Sequence, residues 1–300
     1  MKGLSERRRW VYFIAVVIIF FVTIPFLILY ATGYRFGDGF SLKQTGGIFI
    51  AVDVSGSDVL INNKLIKQTS FFQKNFFLQN LSPALYSIEV RKEGLQSWKK
   101  NLSVYEKEVT QAGSFMFPVV PKAVEITKYI ETDVDASTTP RLLRRDENSL
   151  YPQVISLFAS TSQKKLVSQK VVQVKATSTA TTTDELIRQK MRIWKEKGSI
   201  FAEWKGGPDS LPPFFCDGTI CQDKILVTPQ TMQVGSFDFF PGREDVVLVT
   251  VPGGVFAIEV DWRGGQNKQS VYAVPGADFR VDNAETVYIK SDGKYFGLTF

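Results

Sequence analysis

Residues 238–260, DFFPGREDVVLVTVPGGVFAIEV, align without a gap over residues 278–300, DFRVDNAETVYIKSDGKYFGLTF, and this match decides the fold. Asp238 meets Asp278, Phe239 meets Phe279, Val247 meets Val287, Gly253 meets Gly293 and Phe256 meets Phe296, while Ile258 meets Leu298 as a conservative pair. Each copy reads as strand, tight glycine turn, strand. A unit of this kind cannot bury its apolar face alone, so a period of about 40 residues implies stacked antiparallel β-units. A partial third copy lies upstream in RIWKEKGSIFAEW, where Gly198 and Phe201 repeat the glycine-to-phenylalanine spacing at an irregular distance.

These copies resemble the blades of a WD-repeat-like β-propeller, so residues 184–300 are expected to be propeller-like. A closed ring takes at least about four blades. With two full copies and one partial, the expectation is an incomplete ring, or a further blade hidden around Val154 to Val174. An open array leaves an edge able to pair with another chain.

Inside the last third, the only two cysteines occur in PPFFCDGTICQDK. Asp217 and Gly218 are turn residues, and a four-residue loop sets Cys216 opposite Cys221 on a hairpin. In an exported chain this reads as a disulfide. Two thiols without histidine leave a zinc site incomplete, and the spacing is not that of a thioredoxin-type motif.

Residues 121–183 form a connecting region, with Asp133, Asp135 and Pro140, a charged run from Arg141 to Glu147, and ATSTATTT before Asp184. Such composition buries too little apolar surface to offset chain ordering. Val154 to Phe158 and Leu166 to Val174 are apolar enough to read as strands. DELIRQK after Thr183 has the acids of a helix start, with Thr183 as the cap.

From Gly46 to about residue 120 the pattern alternates. Ile48, Ile50, Val52 and Val54 share one strand face; Val59 to Ile61 form a second strand before a turn at Asn62 and Asn63. Tyr86, Ile88 and Val90 face inward, Glu93 and Gly94 turn the chain into Trp98, Leu102 and Val104, and a last strand is expected near Phe115 to Phe117. This is a small antiparallel β-sandwich. The order LINNKLI, then LQNLSPALYSIEVRKEGLQSWKKNLSV, resembles a PEGA domain through Leu81, Pro83, Tyr86, Val90, Gly94, Trp98 and Val104. It departs where Ser55, Gly56, Ser57 and Asp58 stand in place of the Pro-Glu-Gly-Ala signature, and where Ala84 and Leu95 replace the usual glycine and aromatic. The resemblance implies spacing or binding without turnover.

Residues 10–32, from Trp10 to Thr32, carry no charge and are mostly Val, Ile, Leu and Phe. At about 1.5 Å per residue the run crosses about 30 Å of hydrocarbon. Pro25 implies a kink, since freed carbonyls are re-satisfied inside a membrane. Lys2, Arg7, Arg8 and Arg9 against Glu6 keep residues 1–9 cytoplasmic and send the chain across from Gly33. Residues 33–45 are then a linker. A cleaved secretory signal with Ala31 and Gly33 before the cut is the competing reading, but the run exceeds the roughly 7 to 15 residues of a signal core.

Composition narrows function. Lys+Arg 36 against Asp+Glu 30 gives a net +6, part of it in the cytoplasmic stub, and no basic run interleaved with aromatics suggests nucleic acid. His 0 removes histidine triads, histidine zinc sites and histidine acid–base catalysis. Ser97 with Lys100, and Ser162 with Lys165, have Ser-x-x-Lys spacing without the companion Lys-Thr-Gly. Asp238, Glu244, Asp245, Glu259, Asp261 and Asp278 are the carboxylates available for glycoside hydrolysis, and their repeat-like placement reads as solvated blade loops. DWRGG at residues 261–265 reads as a loop, and no phosphate-cradling or calcium loop is present. The expectation is a mainly β, membrane-anchored, non-enzymatic binding or structural module of the cell envelope, with the cytoplasmic membrane and an envelope protein or glycan as partners and no cofactor or metal. The alternative is an envelope hydrolase working through carboxylates or a Ser/Lys pair.

Overall fold

The computed structural model describes residues 6–36, 42–127, 150–159 and 184–300. The chain is mainly β, with one apolar N-terminal helix, α1 (Glu6–Ala31), long and apolar enough to cross a membrane and with none of its residues buried. Pro25 lies inside it, and the hydroxyl of Thr23 bonds the carbonyl of Ile19. Trp10 is exposed near one end, and Thr32 closes the other by donating to the carbonyls of Ile28 at 2.8 Å and Leu29 at 3.1 Å. Arg7, Arg8 and Arg9 are exposed in its first turns; Lys2 lies outside the described residues.

The stretch expected as a plain linker contains a two-stranded hairpin, β1 (Tyr34–Phe36) with β2 (Leu42–Gln44). A sandwich follows, of β3 (Gly46–Ala51), β4 (Asp58–Ile61), β5 (Lys64–Gln68), β6 (Phe76–Leu81), β7 (Ala84–Arg91), β8 (Trp98–Val104) and β9 (Val109–Gly113). One sheet runs β6–β3–β9 and the other β5–β4–β7–β8. Alternation sets the core: Ile48, Ile50, Val52, Val59, Ile88, Val90, Trp98, Leu102 and Val104 are buried, and Asn62 and Asn63 both take positive φ in the turn between β4 and β5. Two expectations need correction. The β3–β9 pair is parallel, so the sandwich is not wholly antiparallel. The last strand is β9, and Phe115 and Phe117 lie in the buried run after it, where the amide of Phe117 is satisfied by the side chain of Gln269 at 2.9 Å instead of a ladder.

Next come β10 (Lys122–Glu125) and α2 (Leu150–Ala159). The residues Val154 to Phe158, expected as a strand, are helical: Val154 is buried, and Tyr151 and Phe158 both meet the ring of Tyr295. The expected strand at Leu166 to Val174 and the Thr183 cap lie outside the described residues.

Three four-stranded meanders complete the chain. The first is β11 (Glu185–Arg188), β12 (Met191–Glu196), β13 (Ser199–Trp204) and β16 (Lys224–Thr228), with the short hairpin β14 (Cys216–Asp217) and β15 (Ile220–Cys221) inserted before its last strand. The insertion explains the irregular spacing of the partial repeat. Within DELIRQK, Glu185–Arg188 is thus a strand and not a helix, because pairing with β12 turns Leu186 into the core. The second blade is β17 (Phe237–Phe239), β18 (Val246–Val251), β19 (Gly254–Glu259) and β20 (Lys268–Tyr272). The third is β21 (Asp278–Val281), β22 (Val287–Ser291) and β23 (Lys294–Thr299), and its fourth strand is β10, paired antiparallel from Lys122↔Thr299 to Glu125↔Phe296. The array therefore borrows its last strand from upstream of its first, and among the described residues it forms no closed barrel.

The repeat residues take equivalent places. Phe239 and Phe279 are buried on the first strands of their blades, and Phe256 and Phe296 are half-buried on the third. Gly293, with Asp292, takes positive φ between β22 and β23, as Lys197 and Gly198 do between β12 and β13, whereas the turn at Gly253 is followed by the left-handed Gly254. One buried cluster joins the sandwich to the second and third blades; the other joins the first blade to the second. Val246 to Val249 are all fully buried because alternate side chains of β18 enter different clusters.

Cys216 and Cys221 form a disulfide on opposed positions of the inserted hairpin. Beside it, Gly218 (φ +58°) lies on the ring of Tyr105, whose hydroxyl donates to Asp217 at 3.1 Å. We expect maleimide to label the unfolded chain only after reduction, and a Cys216→Ser/Cys221→Ser variant to lose about 2 kcal/mol by urea denaturation in micelles, since the bridged loop is short.

Candidate functional site

The period of two along β8 places Lys100 on the same face as Trp98, Leu102 and Val104, directed into the gap between the sandwich edges β8 and β9. The segment joining β19 to β20 fills that gap. Lys100, Glu259, Asp261 and Arg263 are respectively 2, 1, 3 and 4% exposed there. The Lys100 ammonium donates to Glu259 Oε2 at 2.7 Å, to the carbonyl of Asp261 at 2.9 Å and to that of Gly265 at 3.1 Å. Glu259 also accepts from Trp98 Nε1 at 3.4 Å and from the Asn267 amide and side chain at 3.2 and 3.0 Å. Asp261 accepts from Arg263 Nε at 2.9 Å and Nη2 at 2.8 Å, and Arg263 Nη2 reaches the carbonyl of Gln111 on β9 at 2.6 Å.

Backbone fit and amide pairs complete the seam. A Cβ on Gly264 (φ +58°) would stand 1.8 Å from the carbonyl oxygen of Asn101, so only glycine permits this approach. Gln96 exchanges hydrogen bonds with the backbone of Ser270 at 2.7 and 3.0 Å, and Gln269 does the same with Phe115 and Phe117, both at 2.9 Å. Burial pushes the Glu259 carboxyl above its ordinary range, against the pull of the Lys100 charge.

This geometry corrects the expectation that Glu259 and Asp261 are solvated. It also separates the first Ser/Lys pair: Ser97 is exposed just before β8, whereas Lys100 is buried and donates to three acceptors. Ser162 and Lys165 lie outside the described residues. Asp245 is paired with Arg243 at 2.6 Å, and Arg243 also binds Asp53 of the sandwich. Burial raises the Glu244 carboxyl. Among the described residues no group of three or more His, Cys, Asp or Glu is placed to hold a metal ion. A cavity of about 200 Å³ adjoins the seam, walled by Phe49, Phe214, Asp245, Glu259, Asp261 and Arg263 among others.

The first strands of the three blades bring a second polar group together. Arg188, at the end of β11, lies 5.4 Å from the Phe239 ring, donates to the carbonyl of Phe240 at 2.8 Å and pairs with Glu285 at 3.3 Å. Arg280 on β21 donates to Ser236 at 2.8 Å and to Asp278 at 2.9 Å, and Asp278 also accepts from Thr250 at 3.0 Å. Between them Asp238 accepts from the Phe239 amide at 2.7 Å, and burial raises its carboxyl from 3.8 to about 6 despite the charges of Arg188 and Arg280. Arg188 does not stand out in the sequence, and Arg263 reads only as part of the DWRGG loop; the inward register of Lys100 beside Trp98 is a further local sign of the seam.

No protein-family model matches the chain, and no curated protein matches it.

Two stability measurements follow. Lys100→Met should cost about 3–5 kcal/mol because it strands a buried carboxylate, whereas Lys100→Met/Glu259→Met should recover much of that loss. Since folding raises the Asp238 pKa, the native state is penalised above pH 6 and the penalty fades as pH falls towards 4. Asp238→Asn should therefore stabilise the protein by up to about 3 kcal/mol at pH 7, and the difference should close by about pH 4.

Proposed function

We propose that this chain is a single-pass membrane protein with a cytoplasmic N-terminus, whose β head lies outside the cytoplasm and binds an envelope protein or glycan without chemical turnover. The observation that carries this reading is the seam. The most deeply buried acids and bases of the head, Lys100, Glu259, Asp261 and Arg263, are spent on joining sandwich to blades. The result is a stiff platform on an anchor and not a set of groups awaiting substrate. Thr45 ties the sandwich to that anchor, donating to the Gly33 carbonyl through its amide and its hydroxyl, both at 3.0 Å.

The disulfide suits an oxidising compartment, and the basic residues before the apolar run of Trp10 to Thr32 favour the orientation given. In this reading the sandwich is a PEGA-like spacer and the blades a WD-repeat-like binding head. The hydrolase reading draws on one feature, the carboxyl of Asp238 held near neutral pH.

Alkaline phosphatase fused after Phe300 should be active and a green fluorescent protein at the same place dark; the reverse would overturn the topology. Cross-linking of the full chain in intact cells should trap one dominant envelope partner. Turnover of cell-wall polymer by the wild type, lost in Asp238→Asn, would overturn the non-catalytic reading.

A further inference from the structure

A cleft of about 530 Å³ lies where the helix meets the sandwich. One wall is the end of α1, with Ala31, Thr32 and Gly33; the other is the outer face of the β6–β3–β9 sheet, where Phe77 and Val109 stand 46 and 44% exposed. The floor is bare backbone: a Cβ on Gly47 would come within 3.0 Å of the Phe77 ring, so glycine lets that ring lie across β3. The charged residues of the lining are Lys107 and Glu108, in the turn between β8 and β9, where Lys107 takes φ +62° and its amide bonds the Thr45 carbonyl at 3.0 Å.

Depth decides what can enter. The uncharged run ending at Thr32 is roughly 34 Å long against about 30 Å of hydrocarbon, so the cleft opens at the level of glycerol and phosphate. Arg35 marks the same level, 3.8 Å over the Tyr30 ring and donating to the Tyr30 carbonyl at 2.8 Å, a basic and aromatic pair suited to a membrane–water boundary. One wall being an apolar helix with no buried residue, an occupant must be compatible with lipid on that side. One basic and one acidic residue at the rim suit a headgroup carrying both charges.

We propose that this cleft seats one zwitterionic bilayer phospholipid, its phosphate at Lys107, its ammonium at Glu108, and its glycerol and first methylenes against Phe77, Val109 and the end of α1. The proposal rests on the anchored reading above. The test is native mass spectrometry of the full chain extracted in mild detergent from vesicles of equal parts phosphatidylethanolamine and phosphatidylglycerol. One retained phosphatidylethanolamine per chain is expected, reduced at least tenfold in Val109→Asp and in Lys107→Glu, with the near-ultraviolet circular dichroism of each variant unchanged. A chain that resists alkaline carbonate extraction yet retains no lipid, or prefers phosphatidylglycerol, overturns the cleft and leaves the anchor standing. Undiminished retention by both natively folded variants overturns it equally. Release of the chain by carbonate removes the anchor, and the cleft with it.

Discussion

The ammonium of Lys100, shut away from water between two sheet systems, constrains everything around it. Removing a charge of this kind from water costs several kcal/mol, recovered only when every partner is in place. Those partners come from the far side of the seam: Glu259, the carbonyl of Asp261 and the carbonyl of Gly265. Sandwich and blades must therefore form against each other, and the shared apolar cluster running from Ile48 through Leu248 to Leu298 gives the same coupling in hydrophobic terms. Gln96, Gln269 and Gly264 then fix the register of that contact, since each meets backbone and tolerates no slide.

Within the blades, the middle unit contributes to both buried clusters. Its strand β18 sends Val246 and Leu248 to the sandwich side and Val247 and Val249 to the first blade, which is why the run is apolar without alternation. The third blade depends on β10, a strand that precedes the whole array. This places the chain leaving the sandwich inside the last blade. The helix α2 covers the ring of Tyr295 on that same blade, and Arg280 approaches the ring of Phe158 at 5.3 Å. Among the described residues the N-terminal helix, sandwich and blades thus follow one another through hydrogen-bonded joints.

Much of this was legible in the residues. The period-two faces of Ile48, Ile50 and Val52 and of Tyr86, Ile88 and Val90 mark core strands directly, the two copies at residues 238–260 and 278–300 mark the blades, and Asp217-Gly218 marks the hairpin of the cysteines. What was not legible depends on partners distant in sequence. DELIRQK has helix-forming side chains, yet the neighbouring strand Met191–Glu196 overrides that local preference. LYPQVISLFA is too short an apolar run for period alone to separate strand from helix. The strand Lys122–Glu125 finds its partner near Phe300, and the insertion carrying the disulfide breaks the blade period. Burial of Glu259 could not be inferred because its neutralising base, Lys100, lies about 160 residues away, on a strand where a lysine normally faces water.

The seam locks sandwich and blades together, and it is the feature on which the account stands. Native-state hydrogen exchange on the full chain in micelles tests it most directly, by comparing the amides of Ala84–Arg91 in the sandwich with those of Val246–Val251 in the middle blade. The account predicts that both sets open with the same free energy and lose protection at the same denaturant concentration. Exchange of the sandwich amides through an opening that leaves the blade amides protected would contradict it.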